Sequence, residues 1–343
     1  MRPELPSEFR APSVELSVVS PMFNEETNVR PFVRAVVDVL DPTGIDYEII
    51  LVDDGSRDGT WQAIAEAART NPRVRGLSLS RNFGHQGALL AGMCHARGRA
   101  VVTMDGDLQH PPALVPELVA AWREGYKVVN TRRFDSTDTS WFKRASSRWF
   151  YRLFSRVSGV TMEAGASDFR LLDRMPLQAL ISMGDADLFV RGIVSWLGFK
   201  TKTIPYQAQP RFSGVPKFTL KKMLRFSTGA LLSFSAVPLK LGILIGFVTS
   251  GFAFLELCYI GFAYLTGRTV QGWASLMTVM SFMFGVLFIL LGIVGTYLGK
   301  IYEIVKNRPR FVIGEAVGFE RSAADRELLP KGSAQLRESV YGA

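Results

Sequence analysis

Between Leu16 and about Thr131, runs of apolar, largely β-branched residues alternate with stretches whose apolar positions recur at helical spacing. The runs LSVVSPMF, YEIILVDD, VRGLSLS, AVVTMDG and KVVNTRR read as strands. Helical patterns lie between them near Val29–Leu40, Thr60–Arg69, Gln86–Arg97 and Pro112–Glu124. This alternation predicts a mostly parallel sheet with crossover helices. In such a doubly wound α/β domain, ligands bind beyond the carboxyl ends of the strands. Polar residues collect there: Asn24-Glu25-Glu26, Asp53-Asp54-Gly55, Arg81-Asn82, Asp105-Gly106-Asp107 and Arg132-Arg133. Any one of these clusters is what an ordinary turn contains. All of them on one edge describe a site.

From Val237 the pattern changes. Residues 237–266 carry only Lys240 and Glu256 as charges, and residues 273–299 carry none. Each stretch is long enough to cross about 30 Å of hydrocarbon as a helix, so a transmembrane hairpin is expected. The net charge of +9 would suit a nucleic-acid partner, but the cations cluster beside the apolar stretches. Lys217, Lys221, Lys222 and Arg225 precede the first, Lys300, Lys306, Arg308 and Arg310 follow the second, and the intervening loop holds only Arg268. The positive-inside rule then makes both ends cytoplasmic and favours anionic lipid over nucleic acid. Residues 1–14, an N-terminal extension, have no apolar core of signal-peptide length, so the large domain is expected in the cytosol.

Two further stretches read as interfacial helices. In WFKRASSRWFYRLFSRV, residues 141–157, Trp149, Phe150, Leu153, Phe154 and Val157 share one side while Lys143, Arg144, Arg148, Arg152 and Arg156 supply charge. The second, a juxtamembrane helix over 216–236, runs into the first span. Residues 300–343 form a cytoplasmic tail that begins with the apolar piece FVIGEAVGF. Cys94 and Cys258 give neither a disulfide framework nor metal-ligand spacing. Glu256, inside the first span, is costly in lipid and is read as an oligomer contact or a snorkelling side chain. The pairs Gly242/Gly246 and Gly295/Gly299 permit close helix packing.

Asp105-Gly106-Asp107 at a strand end suits a hard divalent cation, because Mg²⁺ and Mn²⁺ prefer carboxylate oxygens and share their remaining positions with phosphate and water. Gln109 can add a carbonyl oxygen. A cation there would stabilise a departing diphosphate. His85, His95 and His110 lack ligand spacing.

Taken in order, SPMFNEETNV, LVDDGSRDGT, SRNFGHQGALLAGMCHARGRAVVTMDGDLQHPP, GASDFRLLDR and RFSGVPKFTLKKM resemble the motifs of glycosyltransferase family 2. The layout is similar to the bacterial polyprenyl-phosphate glycosyltransferases, the undecaprenyl-phosphate glucosyltransferases of the GtrB type, with dolichyl-phosphate mannose synthase more distant. The resemblance implies a GT-A catalytic domain over 15–215, a nucleotide-sugar donor, a polyprenyl phosphate acceptor and Mg²⁺ or Mn²⁺. It further implies a place in the bacterial inner membrane, a separate lipid-sugar flippase acting afterwards, and association into a homo-oligomer. By motif, Pro21, Phe23 and Glu25 line the nucleotide pocket, Asp53 meets the base, and Asp105 faces the ribose or the metal. Asp107 and Gln109 hold the metal against the diphosphate, Arg132, Arg211 and Lys217 contact phosphates, and Asp168 lies near the reacting atoms. Pro216 stands where family members commonly have serine, which removes one hydroxyl from that motif.

Alternative readings remain at this stage. Asp54 reads as a cap on the turn at Gly55, and Glu26 as a first-turn helix acid. Arg170 and Arg174 read as ion-pair partners of Asp168 and Asp173. Arg191 and Trp196 fall where processive synthases carry a QxxRW motif, which is absent. A membrane-bound nucleotidyltransferase would want a Gly-rich basic loop where SPMFNEE is acidic, and a scaffold or flippase leaves the carboxylate edge unexplained. The sugar is open among glucose, mannose and aminoarabinose.

Overall fold

The computed structural model describes residues 14–134, 166–183, 190–207, 237–267, 272–306 and 308–319. The expected helices over 141–157 and 216–236, and Arg211 and Lys217, lie outside these residues. The chain divides into two compact units, one holding the sheet and the other running from Phe218 to Arg308 with Arg156–Gly159.

In the first unit β1 (Val14–Met22), β2 (Tyr47–Asp53), β3 (Val74–Leu79), β4 (Gly98–Thr103) and β5 (Val128–Phe134) form on the five apolar runs. Three more strands form outside those runs: β6 (Ala166–Asp173), β7 (Thr201–Gln207) and β8 (Ile313–Val317). The sheet order is β7-β5-β6-β4-β1-β2-β3-β8. The β1–β2, β1–β4, β2–β3 and β5–β7 pairs are parallel. β6 runs antiparallel to β4 and β5, and β8 antiparallel to β3. The class is thus α/β with a mostly parallel mixed sheet.

Connecting helices are α1 (Glu26–Leu40), α2 (Thr60–Thr70), α3 (His85–His95), α4 (Val115–Arg123), α5 (Arg174–Ser182) and α6 (Val190–Trp196). Leu16, Val18, Ile49, Leu51, Ala100 and Val102 from three adjacent strands pack with Val29, Phe32 and Val36 of α1 in one fully buried cluster. A fully buried Val, Leu or Ile contributes about 1.5–3 kcal/mol. That rigidity fixes the strand ends on which the polar clusters sit. α3 is buried from Gly87 through Met93 rather than along one stripe, because it is covered on more than one side. Its His95 meets Phe311 and Phe319 of the chain around β8.

β8 covers the outer edge of β3, with Trp61 Nε1–H donating to Glu315 at 2.8 Å. An uncovered edge would present unpaired backbone groups to any other chain. Residues 313–317, read from sequence as the start of a tail, are therefore part of the sheet.

The second unit holds α7 (Val237–Leu265) and α8 (Trp273–Val305), the latter longer than the apolar stretch that predicts it. Within them Gly242–Ile260 and Phe282–Val305 are long and apolar enough to cross a bilayer. A Cβ on Gly242 would stand 3.0 Å from Leu290, so this glycine sets the approach of α7 to α8. Among the described residues, no atom from outside α8 lies within 4 Å of where a Cβ on Gly295 or Gly299 would stand.

Candidate active site

The strand order reverses between β1 and β4, and the crevice beyond such a reversal is where doubly wound sheets bind ligands. Met22 pairs with Asp53, Asp53 with Ser78, and Val19 with Thr103, so the ends of β1 to β4 stand side by side. Pro21, buried, is the penultimate residue of β1, and Phe23 and Glu25, half-buried, follow its end. The Glu25 carboxylate takes a hydrogen bond from the Asn28 side chain, and its backbone N–H donates to Thr60 Oγ1 at 2.9 Å. Asn24 adopts a left-handed φ of 53°, which lets its Oδ1 accept from Arg57 N–H at 3.0 Å. Glu26 takes Gly59 N–H at 3.1 Å, so this acid ties two loops as well as opening α1.

Asp53 is 2% exposed and accepts from Ser56 N–H and Ser78 Oγ–H, both at 3.0 Å. Asp54 reaches across to Phe83 N–H at 2.7 Å and so braces the loop after β3. Burial pushes its carboxyl up, against the pull of the Phe83 and Gly84 N–H groups. Gly55 has φ of +66°, and a Cβ there would lie 2.6 Å from the carbonyl carbon of Arg81. Only glycine fits that crossing.

The Asp105-Gly106-Asp107 turn is held from behind. Asp105 N–H donates to His110 Nδ1 at 2.9 Å. That bond leaves the imidazole proton on Nε2, which stands 2.9 Å from Ser167 Oγ. His110 also stacks on Phe169 with ring centroids 5.1 Å apart. Leu108 occupies the left-handed region at φ 59°, a conformation that costs a leucine about 1–2 kcal/mol. Its side chain packs against the core, and this anchors the turn. Asp107 Oδ1 accepts Gln109 N–H at 3.1 Å. Gln109 Oε1 accepts from Arg133 at 3.2 Å, so Arg133, next to the expected Arg132, reaches this turn.

The side-chain donors of the turn are all oxygens, which fits a hard divalent cation. Among the described residues no three His, Cys, Asp or Glu side chains gather to hold a metal. A cation on Asp105 and Asp107 would complete its shell with water and ligand oxygens.

β6 is antiparallel, so its beginning rather than its end faces the crevice. Thr103 Oγ1–H donates to the Asp168 carbonyl at 2.5 Å. Asp168 is 8% exposed and accepts from Arg191 Nε at 2.7 Å and Arg191 Nη2 at 2.8 Å. Arg170 Nη2 follows at 3.4 Å and Gln86 Nε2 at 3.2 Å. His85 Nε2 stands 3.7 Å from Asp168 and 3.6 Å from Asp105, linking the two. Burial alone would raise Asp168, but the Arg191 charge and the His85 and Arg191 hydrogen bonds hold it well below the usual carboxylate range. Burial would likewise lower His85, and its hydrogen bond to Asp168 with the charges of Asp105 and Asp168 raise it instead. Arg170 pairs with Asp168 as expected, whereas Arg174 donates to the Ala96 carbonyl at 2.7 Å and Asp173 pairs with Lys127.

His85, Gln86, His110, Ser167 and Arg191 thus join the site without having been singled out for it by sequence, and Arg133 joins it from the Arg132-Arg133 pair. The one usable signal was position: His85 and Gln86 follow the end of β3, and Ser167 precedes Asp168.

A doubly wound sheet whose reversal point opens on an oxygen-only acidic turn, with arginines beside it, suits phosphorylated ligands. The sequence profile of glycosyl transferase family 2 matches residues 17–181. An uncharacterised glycosyltransferase of Bacillus subtilis, YkcC, is 36% identical over 92% of this chain and 98% of its own length. A prophage-derived bactoprenol glucosyl transferase of Shigella flexneri is 35% identical over 88% of this chain and 97% of its own. A solved structure of glucosyl-3-phosphoglycerate synthase from Mycobacterium tuberculosis, with Mn²⁺ and uridine diphosphate, covers 64% of this chain and 78% of that one at 22% identity and a TM-score of 0.42. The chain belongs to glycosyltransferase family 2. It is a glycosyltransferase of GT-A fold.

Proposed function

We propose that this glycosyltransferase moves glucose from UDP-glucose to a polyprenyl phosphate at the cytoplasmic face of a bacterial membrane, with inversion and with Mg²⁺ or Mn²⁺. The observation that carries the reading is the oxygen-only turn at Asp105 and Asp107, backed by His110 and Leu108, beside the arginine-held Asp168. Similarity over nearly the whole length of a bactoprenol glucosyl transferase supports the acceptor and the sugar. A polyprenyl phosphate stays in the bilayer, which gives the two apolar helices their purpose.

Asp105 and Asp107 would hold the cation, which when bound neutralises the departing diphosphate. The residues after β1 and β2 bind the nucleotide, and the glucose lies toward Asp168. The acceptor's phosphate oxygen attacks the anomeric carbon from the side opposite the diphosphate, so one displacement inverts that carbon. Arg132, Arg211 and Lys217 are proposed to contact phosphates.

Purified protein incubated with radiolabelled UDP-glucose and undecaprenyl phosphate is expected to place label in an organic-extractable, mild-acid-labile lipid, and EDTA is expected to abolish it. GDP-mannose and UDP-aminoarabinose in parallel test the sugar. Label that stays aqueous with every donor overturns the reading.

A further inference from the structure

Asp168 is the carboxylate nearest the expected reacting atoms and the obvious general base. Such a base must offer an oxygen lone pair to the acceptor and keep the proton it takes. Both oxygens of Asp168 are already engaged. Oδ1 receives Arg191 Nε and Arg170 Nη2, and Oδ2 receives Arg191 Nη2 and Gln86 Nε2. These donors come from α6, from β6 itself and from α3, so protonating the carboxyl would break contacts on three elements. The low-lying carboxyl agrees with that geometry.

Among the described residues, two arginines converge on Asp168. One carboxylate faces the guanidiniums of Arg170, 3% exposed, and Arg191, 35% exposed. Two-point pairing through Nε and Nη2 fixes the Arg191 plane, and by the planarity of the group its Nη1 side is directed away from Asp168. His85 Nε2 stands 3.6 Å from Asp105 and 3.7 Å from the Asp168 carboxylate that Arg191 holds, so this guanidinium belongs to the same crevice as the acidic turn. An anion entering the crevice meets a cation that cannot swing aside.

We propose that Arg191 receives the acceptor's phosphate and that Asp168 is a positioning residue that aims Arg191, not a general base. This rests on the reading that the acceptor is a phosphate monoester. Its second pKa is about 6, so the attacking oxygen is largely ionised at pH 7. The phosphate oxygen forms the bond to the anomeric carbon, the bond from that carbon to the diphosphate breaks, and its electron pair leaves with the diphosphate. No proton passes to the enzyme. The same balance fails for an alcohol acceptor, whose hydroxyl must lose a proton.

The test uses full-length protein in detergent micelles and the variants Asp168→Asn, Arg191→Gln, Arg191→Lys and the double variant Asp168→Asn with Arg191→Gln. Arg191→Gln is expected to raise KM for the lipid phosphate about tenfold or more while the donor KM stays within about twofold. Asp168→Asn should show the same split, and the double variant should lose no more than the worse single, because the two act as one unit. Arg191→Lys, which keeps the charge and loses the fork, should fall between. A kcat loss of about a thousandfold or more in Asp168→Asn at unchanged acceptor KM, multiplying with a mild Arg191→Gln loss, makes Asp168 the base and overturns the proposal. Calorimetric binding of geranylgeranyl phosphate without donor separates the two readings. Wild type that binds this probe but transfers no sugar sinks the proposed function alone. Binding that Arg191→Gln leaves unchanged, or that wild type lacks, sinks the role of Arg191.

Discussion

At the residue scale the acidic turn is where single atoms decide the chemistry. Asp107→Ala removes one oxygen pair from the cation's shell without touching the core. Transfer should fall by about a hundredfold to a thousandfold, the size seen when a transition-state charge stabiliser is lost, with the melting temperature nearly unchanged. Parallel turnover and thermal melts check both halves. Glu48 gives the converse case. It lies near the start of β2, at the end of the sheet away from the site, 2% exposed, and accepts from Ser17 Oγ–H and Arg97 N–H at 2.6 Å while pairing with Arg75 at 2.5 Å. Glu48→Ala removes the buried carboxylate that pairs with Arg75 and should cost about 3–5 kcal/mol in a denaturant melt. Activity per folded molecule should hold.

At the element scale, α5 depends on one carboxylate. Asp173 caps it by accepting Met175 N–H at 3.1 Å, and also accepts from Trp122 Nε1 at 2.8 Å and Lys127 Nζ at 3.0 Å. Burial would raise this carboxyl, but those three partners outweigh it and leave it below its ordinary value. A depressed acid contributes stability that is present above its unfolded pKa and is lost as pH falls through the folded one. Stability should therefore decline on the acid side, and Asp173→Asn should cost about 1 kcal/mol near neutrality while flattening that decline. Urea midpoints across a pH series measure it. β8 supports a second prediction. Ending the chain before Phe311 bares the β3 edge and removes the rings packed on His95. Earlier melting and concentration-dependent association in size-exclusion runs are expected.

At the scale of the whole molecule, the chain leaves the sheet after β7, runs through α7 and α8, and rejoins the same sheet as β8. Both ends of that excursion connect to one folded unit, so if α7 and α8 span a bilayer they cross it as a pair. Tags at Met1 and Ala343 should be protected in sealed cells, while Gly267→Cys, in the turn between the helices, should react with an impermeant external thiol reagent. The reverse labelling pattern overturns the orientation drawn from the flanking lysines and arginines.

The sequence alone determined what rests on local pattern: the five apolar strands, the helices between them, the two long apolar helices and the acidic turn at the fourth strand's end. Each follows from the spacing of side chains along a few consecutive residues. Tertiary structure decided the rest, because it depends on which distant segments meet. GASDFRLLDR carries charges that hide its strand character, and only pairing with β4 and β5 makes it β6 and turns Asp168 into the crevice. Nothing in the spacing of Asp168 and Arg191 announces a two-point ion pair, since α6 is aimed by its packing and not by its own pattern. His110 looked like an unassigned histidine until the fold set its ring between the Asp105 backbone and Ser167. FVIGEAVGF became a strand only because β3 left an edge to be covered. Periodicity is a short-range signal, and a site is assembled by contacts between residues that sequence keeps far apart.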